Sequence, residues 1–194
     1  MAIPLKKQDE LFTYGDYLTW PDEERWEIID GIPYDMSPAP NYYHQDISGK
    51  LFIEIGLFLK GKQCKVLSAP FDVRLPEKDE SDDETLTVVQ PDISVICDRS
   101  KLDKRGCKGA PDLIIEILSP ATSKKDRMTK YLLYERFGVK EYWLVSPDEK
   151  LVEVYILGEN GKYRQHEFYT EENVLPCFVL PGLNITLAEI FVEE

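Results

Sequence analysis

The chain has 194 residues, 43% of them hydrophobic and 30% charged, which is enough apolar material for one sizeable core and too much for a disordered chain. Thirty-six acidic against 23 basic side chains give a formal charge of −13, so the average field repels phosphate and a nucleic-acid partner needs a local cationic patch. No apolar run approaches the ~20 residues of a membrane span, and Met1-Ala2-Ile3-Pro4-Leu5-Lys6-Lys7 lacks the apolar core of a signal peptide; a cytoplasmic protein with no membrane partner is expected. Cys64, Cys97, Cys107 and Cys177 form no C-x-x-C pair, and His44 and His166 lie apart from them, so neither a zinc site nor a disulfide framework is expected.

Without a repeat or a Gly/Ser-rich linker, one domain over 1–194 is the simplest organisation. A short helix over 13–21 precedes a strand over 25–30, and Asp30-Gly31 signals a turn into a partner strand over 32–37. Ile47, Leu51, Ile55 and Phe58 recur at helical spacing over 42–60, closed by Gly61, which predicts a core-facing helix. Strands follow over 66–75, 88–97 and 113–118, and between the first two the run 77–84, with six acids and one lysine, reads as a solvated loop. A second helix over 124–137 ends at Gly138, and strands over 141–145, 151–157 and 163–168 complete the pattern. The strand, helix, strand order from 113 to 145 implies a crossover unit within a mixed sheet.

The informative residues are charges that the core pattern should exclude. Alternation over 88–97 puts Asp92 mid-strand on a half-polar face, and Glu116 is the one carboxylate in Leu113-Ile114-Ile115-Glu116-Ile117-Leu118. A strand apolar on both faces is internal to a sheet, so an ionised Glu116 needs a cation, a metal or a proton. At about 100° per residue, Asp126, Lys130, Leu133, Tyr134 and Phe137 share one helix face, which points Lys130 inward and leaves Lys124, Lys125 and Arg127 outside that stripe. Plainer readings stand beside these: Asp92 after Pro91 as a turn acid, Glu116 with Lys130 as a buried structural pair, Lys130 snorkelling outward, and Asp126 as a cap in Ser123-Lys124-Lys125-Asp126. Taken together, two acids on neighbouring strands and an inward lysine form a constellation able to hold a divalent cation and position water.

Arg25-Trp26-Glu27-Ile28-Ile29-Asp30-Gly31, Met36-Ser37-Pro38-Ala39-Pro40 with His44, Gln90-Pro91-Asp92, Glu116-Ile117-Leu118-Ser119-Pro120-Ala121-Thr122 and Gly138-Val139-Lys140-Glu141-Tyr142-Trp143-Leu144-Val145 occur in this order. In these segments, and in Leu180-Pro181-Gly182-Leu183 with a last helix over 187–191, the chain resembles the bacterial Uma family of restriction-endonuclease-like proteins over about residues 12 to 191. The resemblance implies a PD-(D/E)xK nuclease-like α/β fold: a mixed central sheet flanked by helices, with additional antiparallel strands. It implies catalytic roles for Asp92, Glu116 and Lys130, and for Glu27, which would complete the metal shell. Leu118 stands where the superfamily pattern has lysine, and Lys130 on the following helix is the matching position. His44 matches a family position, as a packed histidine at a helix start or as a substrate or acid–base group.

That reading describes a Mg²⁺-dependent (or Mn²⁺-dependent) endodeoxyribonuclease. Asp92, Glu116 and the Ile117 carbonyl would supply an all-oxygen metal shell, with Lys130 orienting water or stabilising charge and substrate contacts from His44, Lys124, Lys125 and Arg127. Residues 99 to 130 hold nine basic and four acidic side chains, a local excess that answers the charge objection if it gathers at the site. No basic stretch is interleaved with aromatics of the kind that stacks single-stranded bases, which favours duplex DNA over RNA. A homodimer through 139–168, with Tyr142, Trp143 and Tyr155 at its centre, is a further expectation. The alternative is a catalytically silent nuclease-like module that binds nucleic acid or a protein.

Overall fold

The Asp30-Gly31 turn sets the first hairpin. Both residues have positive φ, 51° and 76°, the left-handed pair that a two-residue turn between twisted strands requires. Across it β1 (Trp26–Ile29) pairs with β2 (Ile32–Asp35), Ile29 opposite Ile32. In the computed structural model, which describes residues 11–21, 24–36, 41–78, 80–120, 123 and 125–192, this hairpin follows one helical turn, α1 (Tyr14–Tyr17), closed by a capping box of Thr13 and Asp16. Next comes α2 (Tyr42–Leu59), capped by the Asn41 side chain and burying Ile47, Leu51 and Ile55 as their spacing predicts. The motif residues 37–40 and 121–122, and Lys124, lie outside the described residues.

The strands expected over 66–75 and 88–97 each break in two. β3 (Lys65–Ser68) pairs with β6 (Ile93–Ile96), while β4 (Val73–Arg74) pairs with β5 (Val88–Val89) in a different sheet. The breaks lie side by side at Ala69-Pro70 and Pro91-Asp92, joined by the Ala69 N–H donating to the Asp92 carbonyl at 3.0 Å. Proline offers no N–H to a ladder, so neither strand runs on through it. Asp92 therefore sits where the sheets part, not mid-strand as alternation predicts.

β7 (Leu102–Asp103), β8 (Gly106–Lys108) and β9 (Leu113–Ile117) lead to a π-helical turn at Lys125–Lys130 and α3 (Tyr131–Phe137). β10 (Glu141–Ser146), β11 (Leu151–Leu157), β12 (Tyr163–Thr170), β13 (Val174–Pro176), β14 (Asn184–Thr186) and α4 (Leu187–Phe191) follow. The strands form sheets ordered β2-β1-β5-β4-β8-β7 and β12-β11-β10-β9-β6-β3, with a β13-β14 pair. β9 and β10 are parallel, joined by the π-turn and α3, which is the crossover unit expected. Gly138, at φ 80°, ends α3 and releases the chain into β10.

Alternation along β9 divides the core. Ile115 and Ile117 join Ile93, Val95, α2 and α4, while Ile114 joins Tyr142, Leu144 and the Leu133 and Tyr134 side chains of α3. The α3 side runs on to Ile29, Val73 and Val89 of the other sheet. Glu116 belongs by register to that second side.

Three expectations are corrected here. Tyr142 and Trp143 are 0% exposed: β10 is covered on both faces, so they are core residues and not an interface. Cys64 and Cys97 form a disulfide; they flank the paired Lys65 and Ile96 of β3 and β6, a proximity created by strand register across 33 residues of sequence and invisible in the spacing. The acidic run is not wholly solvated, because Asp82 is held by Arg74, Arg105 and Lys108. Among the described residues no helix is long and apolar enough to cross a membrane.

Candidate active site

Lys130 is the centre of a buried charged cluster. Its Nζ lies 2.8 Å from Glu27 Oε1, 2.8 Å from Glu116 Oε1 and 3.7 Å from Asp126 Oδ1, and all four residues are buried. β1 supplies Glu27, β9 supplies Glu116, and the π-turn supplies Asp126 and Lys130. Lys125, at the other end of that turn, lies 2.7 Å from Glu27 Oε2. The π-turn explains this pairing: its i to i+5 hydrogen bonds carry more residues per turn than an α-helix, so Lys125 and Lys130 come round to the same side. Reckoned at α-helical spacing, Lys125 falls outside the inward stripe; that expectation is corrected by the wider turn.

The two glutamates share Lys130 but differ in electrostatics. For Glu27, burial opposes ionisation, yet Lys130 and Lys125 outweigh it and hold the carboxyl down at about 2; its Oε1 also accepts the Gln90 N–H at 3.0 Å. For Glu116, burial dominates and the charges of Asp126, Asp92 and Glu27 add to it, so the carboxyl is pushed up to about 8 despite Lys130. The Tyr134 hydroxyl donates to Glu116 Oε1 at 2.7 Å, and the surrounding carboxylates raise the Lys130 pKa well above its ordinary value although burial alone would lower it. Lys130 therefore remains an ammonium.

Asp92 stands one step beyond the paired Ile93 and Ile115, at the position across from Glu116. Its Oδ2 accepts the Ile117 N–H at 2.8 Å and lies 3.2 Å from His44 Nε2 on α2. Burial would lower the His44 pKa, but the Asp92 hydrogen bond and charge, with the Ile117 backbone, raise it. Asp92 Oδ1 and Glu116 Oε2 take no hydrogen bond among the described residues. Hard carboxylate oxygens with lone pairs to spare suit Mg²⁺ or Mn²⁺. No group of three or more His, Cys, Asp and Glu converges on one point among the described residues.

The structure thus brings Asp92, Glu116, Ile117, Lys130, Lys125, Glu27 and His44 to adjoining positions, with Glu27 engaged at both oxygens. Arg127 is turned away, paired with Glu153 and Glu149 and donating to Ser146. Apart from Lys125 and Lys130, the described basic residues of 99–130 do not gather here, which corrects that expectation. Arg105 and Lys108 lie on the β7–β8 hairpin at the far edge of the other sheet, paired with Asp82, and Arg99 and Lys101 donate to the Gln63 and Ala110 carbonyls. Sequence reasoning missed the Tyr134 hydroxyl as a Glu116 partner, since an aromatic on a core stripe carries no signal of what its hydroxyl meets.

The chain matches the family described as "Uma2: Putative restriction endonuclease" over residues 14–188. It is 27% identical over 151 residues to an uncharacterised protein of Synechocystis sp., slr1290, spanning 76% of this chain and 75% of that one. Its fold is similar to the crystal structure of "a putative nuclease belonging to DUF820" from Anabaena variabilis, with a TM-score of 0.72 and 24% identity over 93% of this chain and 97% of that one. At that identity the likeness speaks for the fold.

Proposed function

The chain belongs to the Uma2 family, and from that premise we propose that it is a metal-dependent endonuclease hydrolysing phosphodiester bonds in DNA. The observation that carries this reading is that Asp92, one residue before β6, stands across from Glu116 of the adjacent β9, each with one oxygen fixed and the other unengaged, beside a lysine kept protonated. Asp92, Glu116 and the Ile117 carbonyl would hold Mg²⁺ or Mn²⁺. Such an ion, when bound, supplies Lewis acidity and lowers the pKa of a coordinated water.

The chain's own groups do the rest. Lys130 is a poor proton acceptor, its pKa held high by Glu116, Glu27 and Asp126, so its role is to orient the attacking water and to stabilise charge developing on the phosphoryl oxygens. Glu27 positions Lys130 and Lys125 through its two occupied oxygens. Tyr134 fixes the Glu116 rotamer, leaving Oε2 for the metal, and the Ile117 N–H does the same for Asp92. His44 is assigned to substrate contact with Lys125.

One observation favours the alternative of a nuclease-like module that binds without cutting: no three-ligand cluster is preformed among the described residues. Calorimetric titration of Mn²⁺ into the wild type and Asp92→Asn separates the two readings. Saturable binding lost in the variant is expected; a folded wild type that binds no metal, with or without DNA present, would overturn the proposal.

A further inference from the structure

Between α1 and the turn of the β7–β8 hairpin lies a cleft of about 740 Å³, walled by Tyr17, Trp20, Trp26 and Phe71. Tyr17, Trp26 and Phe71 are half-buried, so each keeps part of its ring open. The rings hold one another edge-on, Tyr17 to Trp20 at 5.6 Å and Trp20 to Trp26 at 5.8 Å between centroids. Tyr17 is fixed further, its hydroxyl donating to Asp72 at 3.2 Å and accepting from Gln90 Nε2 at 3.0 Å. This is a rigid aromatic surface in a cavity of ligand-binding size.

The charges around it are unevenly committed. Asp72 takes Tyr17 and Gln90, Asp103 takes Arg74, and Glu24 takes the Trp26 indole N–H at 3.1 Å. The cations Arg25 and Lys104, by contrast, have no carboxylate partner among the described residues; Arg25 donates only to the neutral Gln90 Oε1, at 3.0 and 3.2 Å. Arg25 also lines a smaller cleft of about 180 Å³ that contains His44, Ser48, Ser68 and Asp92. One guanidinium thus stands between the aromatic rings and a proposed metal ligand.

We propose that the aromatic cleft takes an unpaired nucleobase of the substrate strand, with Arg25 on the phosphate leading toward Asp92 and Lys104 on a neighbouring one. The inference rests on the nuclease reading of the Asp92 and Glu116 site. A base inside a duplex hides both faces in the stack, whereas an unpaired or flipped-out base offers a π-face to aromatic side chains whatever its identity. The preferred substrate is then nucleic acid with a single-stranded or extruded nucleotide, in place of the uninterrupted duplex expected from sequence. The sequence shows no aromatic-basic stretch because this surface is assembled by the fold, from Tyr17, Trp20, Arg25, Trp26, Phe71 and Lys104. The unpaired cations and the continuity with Asp92 favour a nucleotide over a proline-rich peptide, which would need only the rings.

The test is fluorescence anisotropy of a short labelled thymidine strand with the full-length protein in EDTA, so that binding is read without metal. The strand should bind at least about tenfold more tightly than a blunt duplex or an abasic strand of equal length, and Phe71→Ala or Tyr17→Ala should weaken it by between about fivefold and a hundredfold. Lys104→Glu, at an exposed position that folding does not depend on, should weaken it too and keeps the test valid if an aromatic variant unfolds. Equal binding of the abasic strand or of the duplex overturns the proposal, as does a proline-rich peptide that binds in the cleft where the strand does not. Retained strand binding by a protein that takes up no Mn²⁺ would sink the nuclease reading and leave the cleft standing.

Discussion

Arg74 and Lys130 are both buried cations surrounded by carboxylates, and they are held in opposite ways. Arg74 spreads a planar fork over both oxygens of Asp82 and both of Asp103, each at 2.7 Å, and those acids reach solvent at 27% and 48% side-chain exposure. Lys130 is a point charge among Glu27, Glu116 and Asp126, all buried with it. The guanidinium engages both oxygens of each partner through its two terminal nitrogens, so that cluster pins the acidic loop to the β7–β8 hairpin. The ammonium leaves Glu116 Oε2 unengaged and that carboxyl driven up to about 8. Burying a charge serves stability in the first case and chemical readiness in the second.

The largest expected effect is on cleavage. Asp92→Ala or Glu116→Ala should abolish metal-dependent hydrolysis, a loss on the order of a thousandfold or more, in protein that still unfolds cooperatively in urea; full activity in either variant would sink the site. Arg74→Met should do the reverse, losing about 3 kcal/mol in urea denaturation while its Mn²⁺ isotherm matches the wild type. Loss of metal binding in that variant would dissolve the contrast.

The two glutamates sharpen the contrast through pH. A carboxyl raised to about 8 in the folded state, against 4.5 unfolded, binds its proton more tightly when folded. Stability of the metal-free protein should therefore fall as pH rises from 4.5 to 8, and Glu116→Gln should flatten that slope. Glu27, held down at about 2, contributes stability above 4.5 that is lost as pH falls toward 2, a limb that Glu27→Gln should remove in the same urea series. The smallest effect is expected of Tyr134→Phe, which deletes one hydrogen bond to Glu116 and should lower stability by about 1 kcal/mol; an unchanged urea midpoint would place that hydroxyl outside the cluster's energetics.

Much of this arrangement was legible because burial of a charge is conspicuous in an apolar segment. Glu116 stood out among five apolar neighbours, and the 100° rule turned Lys130 toward it. Lys125 was misread because the rule assumes an α-helix and the turn is wider. Asp92 was identified but misplaced, since alternation does not reveal that two prolines break adjacent strands at one level. The Cys64–Cys97 bond, the dispersal of the 99–130 cations and the aromatic cleft depend on register between segments far apart in sequence, which local pattern does not encode.

The inward commitment of cations has a consequence for how ionic strength acts. Arg105, Lys108 and Arg127 are in ion pairs outside the Lys130 cluster, so on the proposed reading the cations added by the aromatic cleft are Arg25 and Lys104 alone. Each phosphate neutralised on a single strand contributes about −0.7 to the log–log dependence of affinity on salt, so two such contacts add only roughly −1.4 to the slope. Few counterions are released on binding, and discrimination falls to shape and stacking, with long-range attraction contributing little. On the proposed reading, such a protein would keep its substrate preference across changes in salt concentration that strip a strongly basic protein from nucleic acid.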